Sequence, residues 1–319
     1  MSELFQIVLP IFMLIALGYG LIMSRLIEMD AGKSISKFVF TVPLPLLMFR
    51  SMATSDIGGR EPWSLWLAYF LCFFVVWVLA MLAIRYLFGR KGSVLAVAGV
   101  SAGFSNLVLL AIPVVSGVFG EDELFPLLML ISVHLPVTMT VSSILVEWYG
   151  REEGETLKLG AALLKVVKGL ARNPLIIAVV GGSLWRVSGL DIPLYASLVI
   201  DRVIPVAVPL ALISMGMGMR DYGLKGDILP GIVLGLIKIM VFPALFLLVT
   251  TFLVPLPAEW TAVIVLGAAS PTGVNAYLLA NHFGVGHRLS ANTITLSVLM
   301  SLATLPFWIS VARSIMEGA

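Results

Sequence analysis

The chain has 319 residues, 60% of them hydrophobic and 12% charged, with a mean hydropathy of +1.06. That composition excludes a soluble globular domain, and a net charge of +2 gives no footing for nucleic-acid binding. Cys72 is the single cysteine, which excludes an internal disulfide, a cysteine metal cluster and a redox pair.

A helix needs roughly 20 apolar residues to cross the hydrocarbon core. Ten spans are predicted, at 3–23, 34–54, 63–88, 93–118, 124–148, 171–190, 194–219, 228–254, 259–283 and 290–314. Span 1 follows Met1-Ser-Glu3, which lacks the basic region of a secretory signal, so it is expected to be retained. Span 2 carries Val39-Phe-Thr41-Val-Pro43-Leu-Pro45-Leu46, and span 3 holds Cys72 with Trp77 at mid-depth. Trp63, Trp66, Trp148, Trp185, Trp260 and Trp308 fall near predicted span ends, as interfacial belts require. Span 4 contains Ser101-Ala-Gly-Phe-Ser105-Asn106-Leu-Val-Leu-Leu-Ala111. Span 5 holds His134, two residues before Pro136; it is read either as a proton-coupling group or as a hydrogen-bonded packing residue.

Residues 149–171 form the one long polar connection. On a helical wheel Lys165, Lys168 and Arg172 lie opposite Leu163, Val167 and Leu170, the pattern of an interfacial helix on the anionic cytoplasmic leaflet. Span 7 repeats the theme of span 2 as Val203-Ile-Pro205-Val-Ala-Val-Pro209-Leu210. Lys238 falls near the centre of span 8, either as a fixed cation bracing a break or as a snorkelling side chain. Span 9 reads Ser270-Pro271-Thr272-Gly-Val-Asn275-Ala-Tyr-Leu-Leu-Ala280, the polar pattern of span 4 repeated 169 residues later.

Spans 4 and 9, like spans 2 and 7, are five apart, and an odd offset inverts the second copy. The expected fold is therefore an all-α integral membrane protein whose ten transmembrane helices form two inverted five-helix repeats. Its parts are residues 1–148, the linker 149–171, and residues 172–319. Fourteen Lys and Arg residues flank one set of loops and five the other, which places both termini outside a cell (inner) membrane by the positive-inside rule.

Pro271 removes a backbone donor and disfavours helix at Ser270, so helix 9 is expected to break at Ser270-Pro271-Thr272. Helix 4 has Ala102 where helix 9 has Pro271, and is softened instead by Gly99, Ser101, Gly103 and Ser105. If both unwind and cross, two half-helix N-termini meet near the midplane and attract an anion, with Asn106 and Asn275 adding neutral amide donors. The same residues also read as kinks or close-packing points. Neither helix has a mid-depth Asp or Glu, which disfavours a cation antiporter.

Leu9-Pro10, Leu17-Gly18-Tyr19-Gly20, Val42-Pro43-Leu-Pro45 and the twin Asn-bearing breaks together resemble the auxin efflux carrier family in its short bacterial form. The resemblance covers essentially the whole chain. It implies scaffold helices 1, 2, 6 and 7, transport helices 3 to 5 and 8 to 10, and an elevator movement between them. It further implies an anionic substrate bound beside the crossover, with small carboxylates such as malonate or malate as the class. Plant members pair two prolines at the crossover, which this chain does not.

The expected function is secondary transport of a small organic anion, a mono- or dicarboxylate or an auxin-like acid, with no enzymatic activity and no cofactor or metal. Asn106, Asn275, Ser101, Ser105, Ser270, Pro271 and Thr272 are the candidate binding residues, Thr41, Pro43 and Pro45 the scaffold wall, and Lys238 and His134 the supporting or coupling groups. The alternative is a sodium-coupled carrier of a neutral or steroid-like solute on a related inverted-repeat fold; an intramembrane enzyme lacks a clustered nucleophile–base or metal set. Expected partners are the carboxylate and membrane lipid, and Gly231-x3-Gly235 admits a homodimer.

Overall fold

A computed structural model describes residues 2–54, 62–150, 168, 171–222 and 226–318. Among them it has helices and loops, with one isolated antiparallel bridge and no strands. The helices are α1 (Ser2–Met23), α2 (Met29–Thr41), α3 (Pro43–Thr54), α4 (Trp63–Phe88), α5 (Val94–Gly103), α6 (Ile112–Phe119), α7 (Phe125–Gly150) and α8 (Pro174–Ser188). They continue as α9 (Leu194–Val203), α10 (Ala207–Tyr222), α11 (Ile228–Leu236), α12 (Phe242–Phe252), α13 (Ala258–Ala269), α14 (Asn275–Phe283) and α15 (His287–Glu317). Two π-helical turns, Leu107–Ala111 and Ile237–Val241, lead into α6 and join α11 to α12.

Among the described residues, seven stretches are long and apolar enough to cross a membrane: Gln6–Met23, Asp30–Thr54, Trp63–Phe88, Asp122–Val146, Leu194–Arg220, Ile228–Phe252 and His287–Glu317. Four apolar helices are shorter, Val94–Gly103, Leu107–Phe119, Pro174–Ser188 and Ala258–Ala269. Three of these four come from predicted spans 4 and 9, which the structure interrupts. Spans 2 and 7 each lose regular α-helix beside a proline, though at different places of the repeated segment. Val42 leaves helical geometry ahead of Pro43 (φ −122°, ψ −74°), and Pro205 sits in the 3₁₀ turn Ile204–Val206. The predicted interfacial helix in 149–171 lies almost wholly outside the described residues.

The broad helix contacts fall into two sets. In one, α10 packs on α1 and α2, and α3 packs on α8; in the other, α4 packs on α5, α11 and α13 pack on α15, and α12 packs on α4 and α13. Aromatic rings fill the second set. Trp77 and Phe73 of α4 lie over Gly99 and Gly103 of α5, where a side chain would collide with the rings, and Cys72 is buried beside them as a free thiol. The opposite face of α4 presents Leu67, Leu71, Phe74, Val75 and Val78 outward, the apolar exterior that a lipid environment accepts. Gly231 and Gly235 pack against Asn292 and Met300 of α15 in the same chain, so that small-residue face is occupied internally. Asp201 pairs with Arg50 at the end of α3 rather than with its neighbour Arg202.

Within the first set α1 and α10 approach backbone to backbone. A Cβ on Gly18 would lie 2.0 Å from the Ile213 carbonyl oxygen, and one on Gly216 would lie 1.9 Å from that of Ile15. Gly216→Ala therefore forces the two helices apart and is expected to cost about 1–3 kcal/mol, the usual range for overpacking. Gly20→Ala, which meets nothing within 4 Å, is expected to be tolerated or to stabilise α1 by helix propensity. Thermal unfolding of the two purified variants in detergent measures the difference.

Candidate functional site: the paired helix breaks

α13 ends at Ala269 and Ser270 is extended (φ −62°, ψ 142°), as Pro271 requires. α5 has no proline and stays helical through Gly103, two residues past the serine that matches Ser270, before Phe104 turns extended (φ −76°, ψ 102°). Both helices break, at different positions of the repeated pattern, and the reason is Ala102 against Pro271.

The two extended segments pair with each other. Ser105 and Thr272 form the antiparallel bridge, flanked by Asn106 N–H to the Pro271 carbonyl at 2.8 Å and Gly273 N–H to the Phe104 carbonyl at 2.9 Å. Phe104 and Gly273, facing partners in this pairing, stand at equivalent places in the two copies of the pattern. A Cβ at Gly273 would lie 2.7 Å from the Phe104 ring. Side chains complete the pairing: Thr272 Oγ1 donates to the Ser101 carbonyl at 2.7 Å, and Thr272 N–H donates to Ser297 Oγ of α15 at 3.0 Å. Ser270 Oγ donates back to the Leu266 carbonyl at 3.0 Å.

Lys238 lies in the second π-helical turn, fully buried, and donates from Nζ to the Ala268 carbonyl in the last turn of α13. Its Nζ also sits 4.9 Å from the centroid of the Phe242 ring. A lysine Nζ donating at a helix C-terminus satisfies a carbonyl that the helix itself leaves without its full complement of partners. The lysine thus braces the break from behind and does not line the cavity described next.

A cavity of about 260 Å³ opens in front of the breaks. Three asparagines line it, each at the start of a helix. Asn106 caps the turn leading into α6, accepting from Leu109 N–H at 3.2 Å, while its Nδ2 lies 3.4 Å from Met215 Sδ of α10. Asn275 is the first residue of α14, and its amide makes no hydrogen bond to the described residues. Asn173 caps α8, accepting from Leu175 N–H at 2.9 Å. His134 also lines the cavity; it is 3% exposed, its Nε2 has no hydrogen-bond partner among the described residues, and its ring packs 4.6 Å from Phe104 centroid to centroid. Ser105 joins the lining with its Oγ 3.0 Å from the Tyr69 hydroxyl. No Asp, Glu, Lys or Arg is among the described lining residues.

Of the residues singled out in the sequence, Asn106, Asn275, Ser105 and His134 meet at this cavity. Ser101, Ser270, Pro271 and Thr272 are buried behind it as the framework of the break. Thr41, Pro43 and Pro45 do not line it; Thr41 Oγ1 bonds the Lys37 carbonyl at 2.6 Å, and α2 contributes Ser36 and Phe40 instead. Asn173 and Ser297 were missed. Asn173 had a local signal, an Asn-Pro pair at a helix start, whereas nothing local marks Ser297. Ser297→Ala leaves the buried Thr272 amide without an acceptor and is expected to cost about 1–3 kcal/mol. Ser301→Ala, which loses only a bond back to the Val298 carbonyl, is expected to be near neutral in the same unfolding measurement.

Comparison with known proteins agrees with this architecture. The model of the membrane transport protein family matches residues 4–309. A Rhizobium meliloti protein named "Putative malonate transporter" is 25% identical over 98% of this chain and 97% of its own length. An "Uncharacterized transporter" of Methanothermobacter thermautotrophicus is 23% identical over 95% of this chain and 96% of its own. The "Uncharacterized transporter YfdV" of Escherichia coli is 22% identical over 96% of both. A family match over nearly the whole chain, relatives aligned end to end and a multi-helix apolar fold lead to one conclusion: the chain belongs to the membrane transport protein, or auxin efflux carrier, family, whose members are membrane transporters and not enzymes.

Proposed function

We propose that the chain is a secondary transporter of a small organic anion, a mono- or dicarboxylate, and that the cavity before the breaks is its substrate site. The observation carrying this reading is the convergence of three asparagine-bearing helix starts on one cavity lined, among the described residues, by no acidic side chain. Each helix N-terminus supplies roughly half a positive charge through its free amides, and each asparagine an amide donor. Such a site recognises a carboxylate by dipoles and hydrogen bonds, and releases it without separating a full ion pair.

Asn106 and Asn275 meet the carboxylate, with Ser105 and His134 beside them. His134, the ionisable side chain facing the cavity, is the group proposed to couple passage to protons. Lys238 supports the site by holding α13 in place. The name of the Rhizobium meliloti relative, which refers to malonate, fits the same class.

The proposed mechanism is elevator-type alternating access on ten transmembrane helices in two inverted repeats, residues 1–148 and 172–319. Supporting it are the equivalent places of Phe104 and Gly273 in the pairing and the division of helix contacts into two sets. The first set corresponds to a scaffold and the second to the moving part, with the cavity between: Ser36 and Asn173 belong to the first side, the breaks and His134 to the second. The distribution of basic residues favours termini outside the cell membrane.

Asn275→Ala removes a donor that holds nothing else in place, so carboxylate affinity is expected to fall about ten- to hundredfold with unfolding unchanged. Asn106→Ala is expected to lose similar affinity together with about 0.5–2 kcal/mol of stability, because it also removes a helix cap. Uptake into proteoliposomes and binding to the purified carrier read both effects. Intact uptake and binding in both variants would overturn the site assignment.

A further inference from the structure

Tyr69 of α4 is fully buried, and nothing in the proposed mechanism uses its hydroxyl. That hydroxyl lies 3.0 Å from Ser105 Oγ, its one hydrogen-bond partner among the described residues. Aromatic rings surround the phenol, with Phe242 at 5.1 Å, His134 at 5.6 Å and Phe246 at 6.3 Å between centroids. Ser105 is buried as well, its Oγ bonds no other group among the described residues, and it lines the cavity before the breaks.

Distance alone lets either oxygen donate, but two hydroxyls carry two protons and only one proton can lie between them. If Ser105 donated, the phenolic proton would be left inside a buried ring cluster with no acceptor other than Ser105 among the described residues. A buried donor left unpaired loses more than a bond returns. If Tyr69 donates, its proton is satisfied, and the serine proton is left for the cavity that Ser105 lines. A phenol, the more acidic of the two hydroxyls, is also the better donor. The next residue is polarised in the same sense: Asn106 spends its Oδ1 on Leu109 N–H at 3.2 Å, which leaves Nδ2 as its group for a ligand.

We infer that Tyr69 is a positioning residue of the substrate site: by donating to Ser105 Oγ it fixes Ser105 as a hydrogen-bond donor to whatever occupies the cavity. The inference rests on the anion reading above and deepens it by naming the group that sets the polarity of one contact. A carboxylate oxygen accepts from a serine held this way, and the bond from the phenol strengthens the serine as a donor. Without the phenol, Ser105 turns freely and its proton is no longer aimed. Tyr69 and Ser105 both stand in the second packing set, on α4 and directly after α5, so under the proposed elevator movement the pair travels with the site.

The test is calorimetric binding to the purified full-length carrier, with acetate, propionate, malonate and succinate as probes and the tightest of them carried into the variants. Tyr69→Phe keeps the ring in its cluster and withdraws the hydroxyl alone. Affinity is expected to fall about three- to tenfold. Ser105→Ala is expected to lose at least as much, and adding Tyr69→Phe to it is expected to change affinity by less than about twofold, because the phenol acts through the serine. The sign reads the polarity. If Ser105 instead donates to Tyr69, removing the phenol frees the serine proton for the carboxylate and affinity rises. A rise or no change in Tyr69→Phe overturns the inference, and so does a loss that persists in full beside Ser105→Ala, the mark of packing alone. Should Tyr69→Phe fail to fold, Ser105→Ala decides: a loss supports the donor role and wild-type affinity overturns it. In each of these cases the anion reading stands; if wild type binds none of the four acids, both fail together.

Discussion

Backbone amides deep in an apolar fold must find partners inside the protein, since hydrocarbon offers none. The short antiparallel pairing of Phe104–Asn106 with Pro271–Gly273 meets that requirement for two helices whose interruptions lie side by side. Much of the surrounding structure follows from it. Thr272 and Ser297 supply the hydrogen bonds that the pairing leaves unmade, and Lys238 takes the carbonyl of Ala268 at the adjoining helix end. Gly273 has no side chain because the Phe104 ring occupies that space. Phe104 in turn packs on His134, so the backbone pairing and the orientation of the imidazole are linked through one ring.

The pairing also sets the electrostatics. Interrupting a helix exposes one C-terminus and one N-terminus, and the protein treats them differently. The C-terminal end of α13 is closed by the buried Lys238 Nζ, while the starts of α14 and of the turn before α6 are left facing a cavity with asparagines at their heads. α8 brings a third start of the same kind to the same space. Three helix starts thus meet one cavity with no Lys or Arg among its described lining residues. Dipoles of fixed orientation attract an anion yet cost little to leave, a useful property in a membrane transporter, whose site must empty as readily as it fills.

Close packing gives this arrangement its frame. Gly18 and Gly216 let α1 and α10 approach through their backbones, and Gly99 and Gly103 seat the rings of Trp77 and Phe73 against α5. In a solvent as apolar as the side chains themselves, such contacts hold helices together where hydrophobic burial cannot. The rings of Tyr69, Phe73 and Phe104 surround His134, so the polar groups of the site sit on a stiff aromatic base.

Hydropathy alone identified an all-helical membrane protein, and the repeated Ser-x4-Asn pattern located the breaks, because both are properties of local composition and spacing. Two of the three cavity asparagines were legible for that reason. The third, Asn173, was passed over because it lies at a span boundary, where an asparagine usually faces water; only the packing of α8 beside α2 turns it toward the site. Thr41, Pro43 and Pro45 were expected in the wall, but the turn at Val42 places Ser36 and Phe40 there instead. The sequence by itself determined the membrane class, the family resemblance and the weak points of two helices. Tertiary structure alone decided that the breaks pair with each other, that α5 unwinds three residues later in the repeated pattern than α13, that Lys238 serves a carbonyl and not the cavity, and which polar groups share a wall. Those outcomes depend on contacts between residues up to about 170 apart in the chain, and no local pattern encodes where such segments meet.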